Sequence, residues 1–139
     1  MTAPGRMAGL AASSVLAVAA AAHVGWAFGS SRPAADREQA ASMFAGSEYA
    51  PGPAACLTVA GLLATAAALA AGAGGRHPLA RLGRAGVAGT LIVRGVAGLT
   101  GNTERLGPWR VSDDFKRTDR RLYGPGCLVV GVLVVAGSR

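Results

Sequence analysis

Residues 7–28, MAGLAASSVLAVAAAAHVGWAF, decide how the rest of the chain is read. They run for 22 residues without a charged side chain, and about 20 mostly apolar residues carry a helix across the roughly 30 Å hydrocarbon core of a bilayer. A second uncharged run, residues 53–74, repeats the pattern in Ala and Leu. A third, residues 82–101, is 20 residues long and carries Arg94 in its body. The fourth, residues 122–137, spans only about 24 Å as a helix, and an almost unbroken aliphatic run at residues 128–135 supports it. The fold class expected is all-α: a single membrane domain over residues 1–139, an up-and-down integral membrane four-helix bundle.

The remaining composition agrees. Half of the 139 residues are hydrophobic but only 15% are charged, against roughly 25% in an ordinary soluble domain. Such a balance excludes a disordered chain, which needs low hydrophobicity and high net charge. A net charge of +7 could point to nucleic acid, but that needs a basic groove or recognition helix, and here the charges lie between apolar runs. No nucleic-acid partner is expected. Arg6 before an apolar stretch with small residues at 19–22 also fits a secretory leader, yet a processed chain would still hold two or three membrane-length runs. The Ala and Arg bias suggests a bacterial genome, and the location expected is the bacterial plasma membrane.

Three connections divide the spans. Residues 29–52 contain Pro33, Pro51 and mixed charges, and residues 34–44 are expected to form a short interfacial helix. Residues 75–81 make a brief turn. Residues 102–121 are the most polar segment, with an amphipathic helix expected over residues 111–122. Helices in lipid associate through small residues, so Gly83, Gly86 and Gly89, with Gly95, Gly98 and Gly101, are expected to let the third helix approach a neighbour. A stripe of Gly61, Thr65, Ala68 and Gly72 offers the same on the second.

Up-and-down threading polarises the molecule. The first and third loops share one face and collect all seven acids: Asp36, Glu38, Glu48, Glu104, Asp113, Asp114 and Asp119. The seven aromatics gather there too: Trp26, Phe28, Phe44, Tyr49, Trp109, Phe115 and Tyr123. The opposite face holds Arg6, Arg76, His77, Arg81, Arg84 and Arg139 without an acid. Counting Lys and Arg alone, eight on the first face against five on the other, would place the loop-rich face in the cytoplasm by the positive-inside rule. Net charge, about +1 against +5, places both termini inside, and that orientation is the one expected.

Arg94 has the strongest physical case for a role. A charged side chain in mid-helix costs on the order of 2.5–3.5 kcal/mol on insertion scales, so it faces the bundle or a wet cavity and finds a partner. Glu104, Asp113, Asp114 and Asp119 are the candidates; snorkelling to the interface is the alternative. His23 and Trp26, three residues apart, share a helix face. With Arg94, Asp119 and Tyr123 they form a candidate polar pole at one membrane face. No catalytic residue is assigned. No metal site is expected, since no cluster of His, Cys and carboxylates has usable spacing, and no cofactor is implied. Cys56 and Cys127 form no C-x-x-C motif, but each opens a span just after a proline, so a disulfide is open to them if those helices are neighbours. Free thiols are the expectation, with the disulfide as the alternative.

His23-Val24-Gly25-Trp26-Ala27, Arg94-Gly95 and the segment from Phe115 to Leu128, with Asp119, Tyr123, Pro125 and Cys127, resemble the bacterial family catalogued as domain of unknown function 3995. Its members are short, Ala-rich, four-span proteins with a His-Trp element ending the first span and an aromatic, Asp, Tyr and Pro element leading into the fourth. This chain departs from the pattern at Gly124, where a Ser is usual, and in the loop after Arg94, which lacks an aromatic-rich run. The resemblance implies the architecture and brings no activity. Within it, Pro125 suits a first helical turn, and Asp119 with Arg94 is the candidate tie between the third loop and the bundle.

Three functions follow. One is an uncharacterised, non-enzymatic membrane protein, structural or binding a small molecule or lipid at the pole, with membrane lipids as partners and a homo-oligomer as an option. The alternatives are a membrane-embedded redox or lipid-modifying enzyme, and a small transporter working as an oligomer. The enzyme lacks an acid/base pair or an activated nucleophile inside the spans. The transporter lacks an Asp or Glu in any of the four runs, which disfavours proton coupling.

Overall fold

A computed structural model describes residues 3–46, 50–106 and 110–138; Glu48, Tyr49, Trp109 and Arg139 lie outside them. The described residues are helical, with no strand. Helix α1 spans Ala3–Ala27 and a short α2 spans Arg37–Ala40, running into a π-helical turn at Ala41–Ala45. Helices α3 (Pro53–Ala70) and α4 (Pro78–Thr100) follow, each opened by a proline in its first turn, where the missing N–H would have had no helical partner. Next come a 3₁₀ turn at Thr103–Leu106, α5 (Asp113–Thr118), a π-helical turn at Asp119–Tyr123, and α6 (Gly124–Gly137).

Among the described residues, four helical segments are long and apolar enough to cross a membrane: Ala3–Ala27, Pro53–Ala70, Pro78–Thr100 and Asp113–Gly137. Two differ from the sequence expectation. The third begins at Pro78 and not at residue 82, which adds Arg81 to the Arg84 already inside the expected run. The fourth is 25 residues long, because α5, the π turn and α6 run on without a break, and 16 residues underestimate it. Asp113, Asp114 and Asp119 therefore belong to a span-length segment, contrary to the expectation that carboxylates lie outside every span.

The helices alternate in direction. Gly9 of α1 lies against Ala70 at the end of α3 and against Gly137 at the end of α6, so α1 is antiparallel to both. Gly95 of α4 meets Gly124 and Leu128, and Ala88 of α4 meets Gly131, so α4 and α6 are antiparallel too. Helix α1 packs between α3 and α6, while α4 packs along α6 and touches α3 beside their connection. Because α3 and α6 are not side by side, Cys56 and Cys127 do not meet, and both are free thiols.

Packing is inverted relative to a water-soluble bundle. The inner cluster is built from Ala12, Leu16, Ala67, Ala70, Ala88, Val130 and Val134. Large aliphatics point outward, with Val18 71% and Leu62 67% exposed. Such an apolar exterior would associate in water, whereas lipid accepts it and leaves small residues to set the helix spacing. The glycines divide accordingly. A Cβ on Gly95 or Gly98 would come within 3.0 Å of α6 atoms, but Gly86 and Gly89 have nothing within 4 Å. In α3 the inward positions are Cys56, Ala60, Ala67 and Ala70; Gly61, Thr65 and Ala68 of the expected stripe are exposed.

Candidate functional site

The loop-rich end is built on two side-chain caps and two π-helical turns. Asp36 Oδ1 accepts from the Gln39 amide at 2.8 Å and starts α2; Ser112 Oγ accepts from the Phe115 amide at 3.2 Å and starts α5. Both are side-chain caps for otherwise unpaired N–H groups. The short helix expected at residues 34–44 is present as α2 and the π turn that continues it, starting only at Arg37 and running through Ala45, and that turn carries Met43 and Phe44. The amphipathic helix expected at residues 111–122 is present as α5 and the π turn after it, with Val111 and Phe115 buried.

Asp119 is the buried acid of this end, 1% exposed. Its Oδ1 accepts from Arg94 Nη2 at 2.8 Å and its Oδ2 from Arg94 Nη1 at 3.1 Å. This parallel, two-bond pairing is the geometry in which guanidinium and carboxylate bind best. Thr103 Oγ1 donates to Oδ2 as a third bond. Of the four acids open to Arg94, the structure selects Asp119. Glu104 instead pairs with Lys116 at 2.8 Å, and Asp113 approaches the same ammonium at 3.9 Å.

A close helix crossing makes room for this clasp. A Cβ on Gly98 would lie 2.9 Å from Asp119 Oδ1, 3.0 Å from Arg94 Nη1 and 3.0 Å from the Gly124 Cα. Thr103 and the Gly98–Gly124 approach were not legible from sequence, since both depend on where α6 crosses α4.

His23, Trp26 and Tyr123 form a second group. His23 and Trp26 have ring centroids 4.8 Å apart, and Trp26 stacks on Phe44 at 4.9 Å. The Trp26 Nε1–H donates to the Arg32 carbonyl at 3.0 Å, and His23 Nδ1 is 2.8 Å from the Ala19 carbonyl. Tyr123 bridges the loops: its hydroxyl donates to the Met43 carbonyl at 3.1 Å, and its ring lies 5.9 Å from that of Phe115. Thus Arg94 and Asp119 meet directly, while His23 and Trp26 make no hydrogen bond or ring contact with them among the described residues. The pole is an ionic clasp and an aromatic stack in one loop layer.

At the opposite end Arg84 is buried and donates from Nη1 to the Ala73 carbonyl at 3.2 Å and from Nη2 to the Gly75 carbonyl. It holds the connection that follows α3, where a cation also suits the nearby helix C-terminus; its Nε has no partner among the described residues. The sequence reading placed Arg84 on the basic face without this role. Pro78 was the signal, since a proline at a helix start puts Arg84 in the second turn.

The Glu104–Lys116 pair gives the loop a pH dependence. The Lys116 ammonium bonded to it holds the Glu104 carboxyl below its ordinary value of 4.5. A group whose pKa is lowered by folding contributes stability above its unfolded pKa and loses it as pH falls through the folded value. Amide exchange at residues 103–106 is therefore expected to quicken as pH drops below about 4.5 relative to the intrinsic rate, and Lys116→Met should abolish that dependence. An unchanged profile in the variant would assign the effect elsewhere.

Chemically, the arrangement supplies hydrogen-bonded fastening. Among the described residues no group of three His, Cys, Asp or Glu is placed to hold a metal ion. A cavity of about 350 Å³ lies outside the pole, lined by Asp113, Lys116, Arg117, Arg120 and Arg121. Comparison with curated proteins and with solved structures finds no match. The family model described as "Protein of unknown function (DUF3995)" matches residues 16–134, a range that includes His23, Trp26, Arg94, Asp119 and Tyr123, and on that match the chain belongs to this family.

Proposed function

We propose that this is a non-enzymatic, multi-pass protein of a bacterial plasma membrane, a structural element whose pole of His23, Trp26, Arg94, Asp119 and Tyr123 fastens the two long loops over the helix ends. The observation that carries this reading is the saturation of Asp119. Both carboxylate oxygens are engaged by Arg94 and Thr103, which leaves no free general base at the only deeply buried acid described. A proton-coupling carboxylate must exchange its partner during turnover, and a bidentate pair with a third donor opposes that exchange. His23 and Tyr123 are likewise engaged with backbone carbonyls.

The test is to reconstitute the purified chain in nanodiscs, add total bacterial lipid and metabolite extract, and follow all masses over time. The expected result is the same set of masses as with empty nanodiscs. A product that forms with the wild-type chain and is lost in His23→Ala or Tyr123→Phe, with the fold retained, would overturn the reading in favour of an enzyme.

A further inference from the structure

We propose that the outer side of α5 and the following π turn binds the phosphate of an anionic glycerophospholipid, with Arg117, Arg120 and Arg121 as its ligands. The three arginines line the 350 Å³ cavity together with Lys116 and Asp113. Lys116 is already committed to Glu104 and Asp113. The three guanidinium groups, all on exposed residues, have no hydrogen bond or ion pair among the described residues. Arg120 reaches over the end of α4, where a Cβ on Gly101 would lie 2.9 Å from its Nη2, so the cluster leans toward the bundle. A cavity walled by unpaired guanidinium groups selects an anion, and the planar fork of N–H donors fits phosphate oxygens in pairs.

Depth and surroundings identify the anion as a lipid headgroup. The three arginines lie where the fourth span-length segment passes from polar to apolar sequence, and Leu122, the next residue, is 61% exposed. Below it Gly126 and Val129 continue the same face at helical spacing; both are exposed, and nothing lies within 4 Å of a Cβ placed on Gly126. A basic cluster above a shallow apolar trough matches a phosphate with an acyl chain beneath it. Free phosphate would use the cluster and leave the trough idle. This goes beyond the structural role proposed above and uses none of the five pole residues, so failure of either proposal leaves the other standing.

The experiment is native mass spectrometry of the full chain released from nanodiscs of mixed phosphatidylglycerol and phosphatidylcholine. Wild type is expected to retain phosphatidylglycerol preferentially. Each of Arg117→Gln, Arg120→Gln and Arg121→Gln should reduce that retention about fivefold, the usual contribution of one basic residue near an anionic surface. Gly126→Leu, which keeps every charge and fills the trough, should also reduce it, whereas Arg76→Gln with Arg81→Gln on the other face should not. Circular dichroism checks that each variant folds. Equal retention of the two lipids, or a triple arginine variant that retains phosphatidylglycerol like wild type, overturns the proposal. Thermal stabilisation by inorganic phosphate or glycerol 1-phosphate equal to that by the lipid would overturn its assignment to a lipid.

Discussion

Replacing Arg94 by Leu is expected to lower the unfolding free energy by about 3–5 kcal/mol, the cost of stranding one member of a buried ion pair. The stranded group here is Asp119, 1% exposed against 28% for the Arg94 side chain. Thr103 would be left as its one remaining donor. The asymmetry of exposure orders the single variants. Asp119→Asn keeps shape and an acceptor for one Arg94 N–H, and the freed guanidinium can reach the interface by snorkelling, so a loss of about 1–3 kcal/mol is expected, typical of a disrupted charged hydrogen bond. The double variant Arg94→Leu/Asp119→Leu should recover much of the Arg94→Leu loss, because two apolar groups replace a pair whose desolvation opposed its attraction. Urea unfolding in mild detergent followed by far-UV circular dichroism gives the cycle. Additive losses in the double variant would show that the two residues are uncoupled and the clasp immaterial.

The clasp was partly legible in the sequence, and the reason is physical. A lone charge within a long apolar run is so costly that a partner must exist, and threading limited that partner to acids of the third loop. Choosing Asp119 among four needed the resemblance around Phe115–Leu128. Thr103 left no trace, since a hydroxyl one turn beyond a helix end is unremarkable until Asp119 is seen beside it. The length of the fourth segment was misjudged because apolar content stops at Arg120 and Arg121, whereas backbone hydrogen bonding does not. A π turn at Asp119–Tyr123 carries the helix through the charged stretch. The cysteines illustrate a further limit. Equal depth followed from the threading, but adjacency depended on α1 lying between α3 and α6, which nothing in their flanking residues encodes. Composition gave the apolar exterior, and helix order alone decided which small residues became interior.

The glycines of α4 test that last point by experiment. Gly86 and Gly95 are nine residues apart, and at about 100° per residue they lie on opposite sides of the helix, as do Gly89 and Gly98. Spacing of three within each triplet suggested one face, but the phase between triplets allows only one of them to meet α6. Gly98→Ala places a methyl group 2.9 Å from Asp119 Oδ1 and 3.0 Å from the Gly124 Cα. Neither neighbour is a free chain end: the carboxylate is held by three bonds and the Cα belongs to helix backbone. Separation of α4 from α6 is the remaining relief, and overpacking of this kind costs about 1–3 kcal/mol, opposed by the ~1 kcal/mol that Ala gains over Gly in a helix. A net loss is expected, and it should shrink in an Asp119→Asn background where the clasp is already loosened. Gly86→Ala meets nothing within 4 Å and keeps the propensity gain, so it should be neutral or stabilising by up to about 1 kcal/mol. Unfolding of the two variants side by side decides the matter: equal stability of Gly98→Ala and Gly86→Ala would mean that α4 and α6 do not cross at Gly98, and that the Arg94–Asp119 clasp is not held by that crossing.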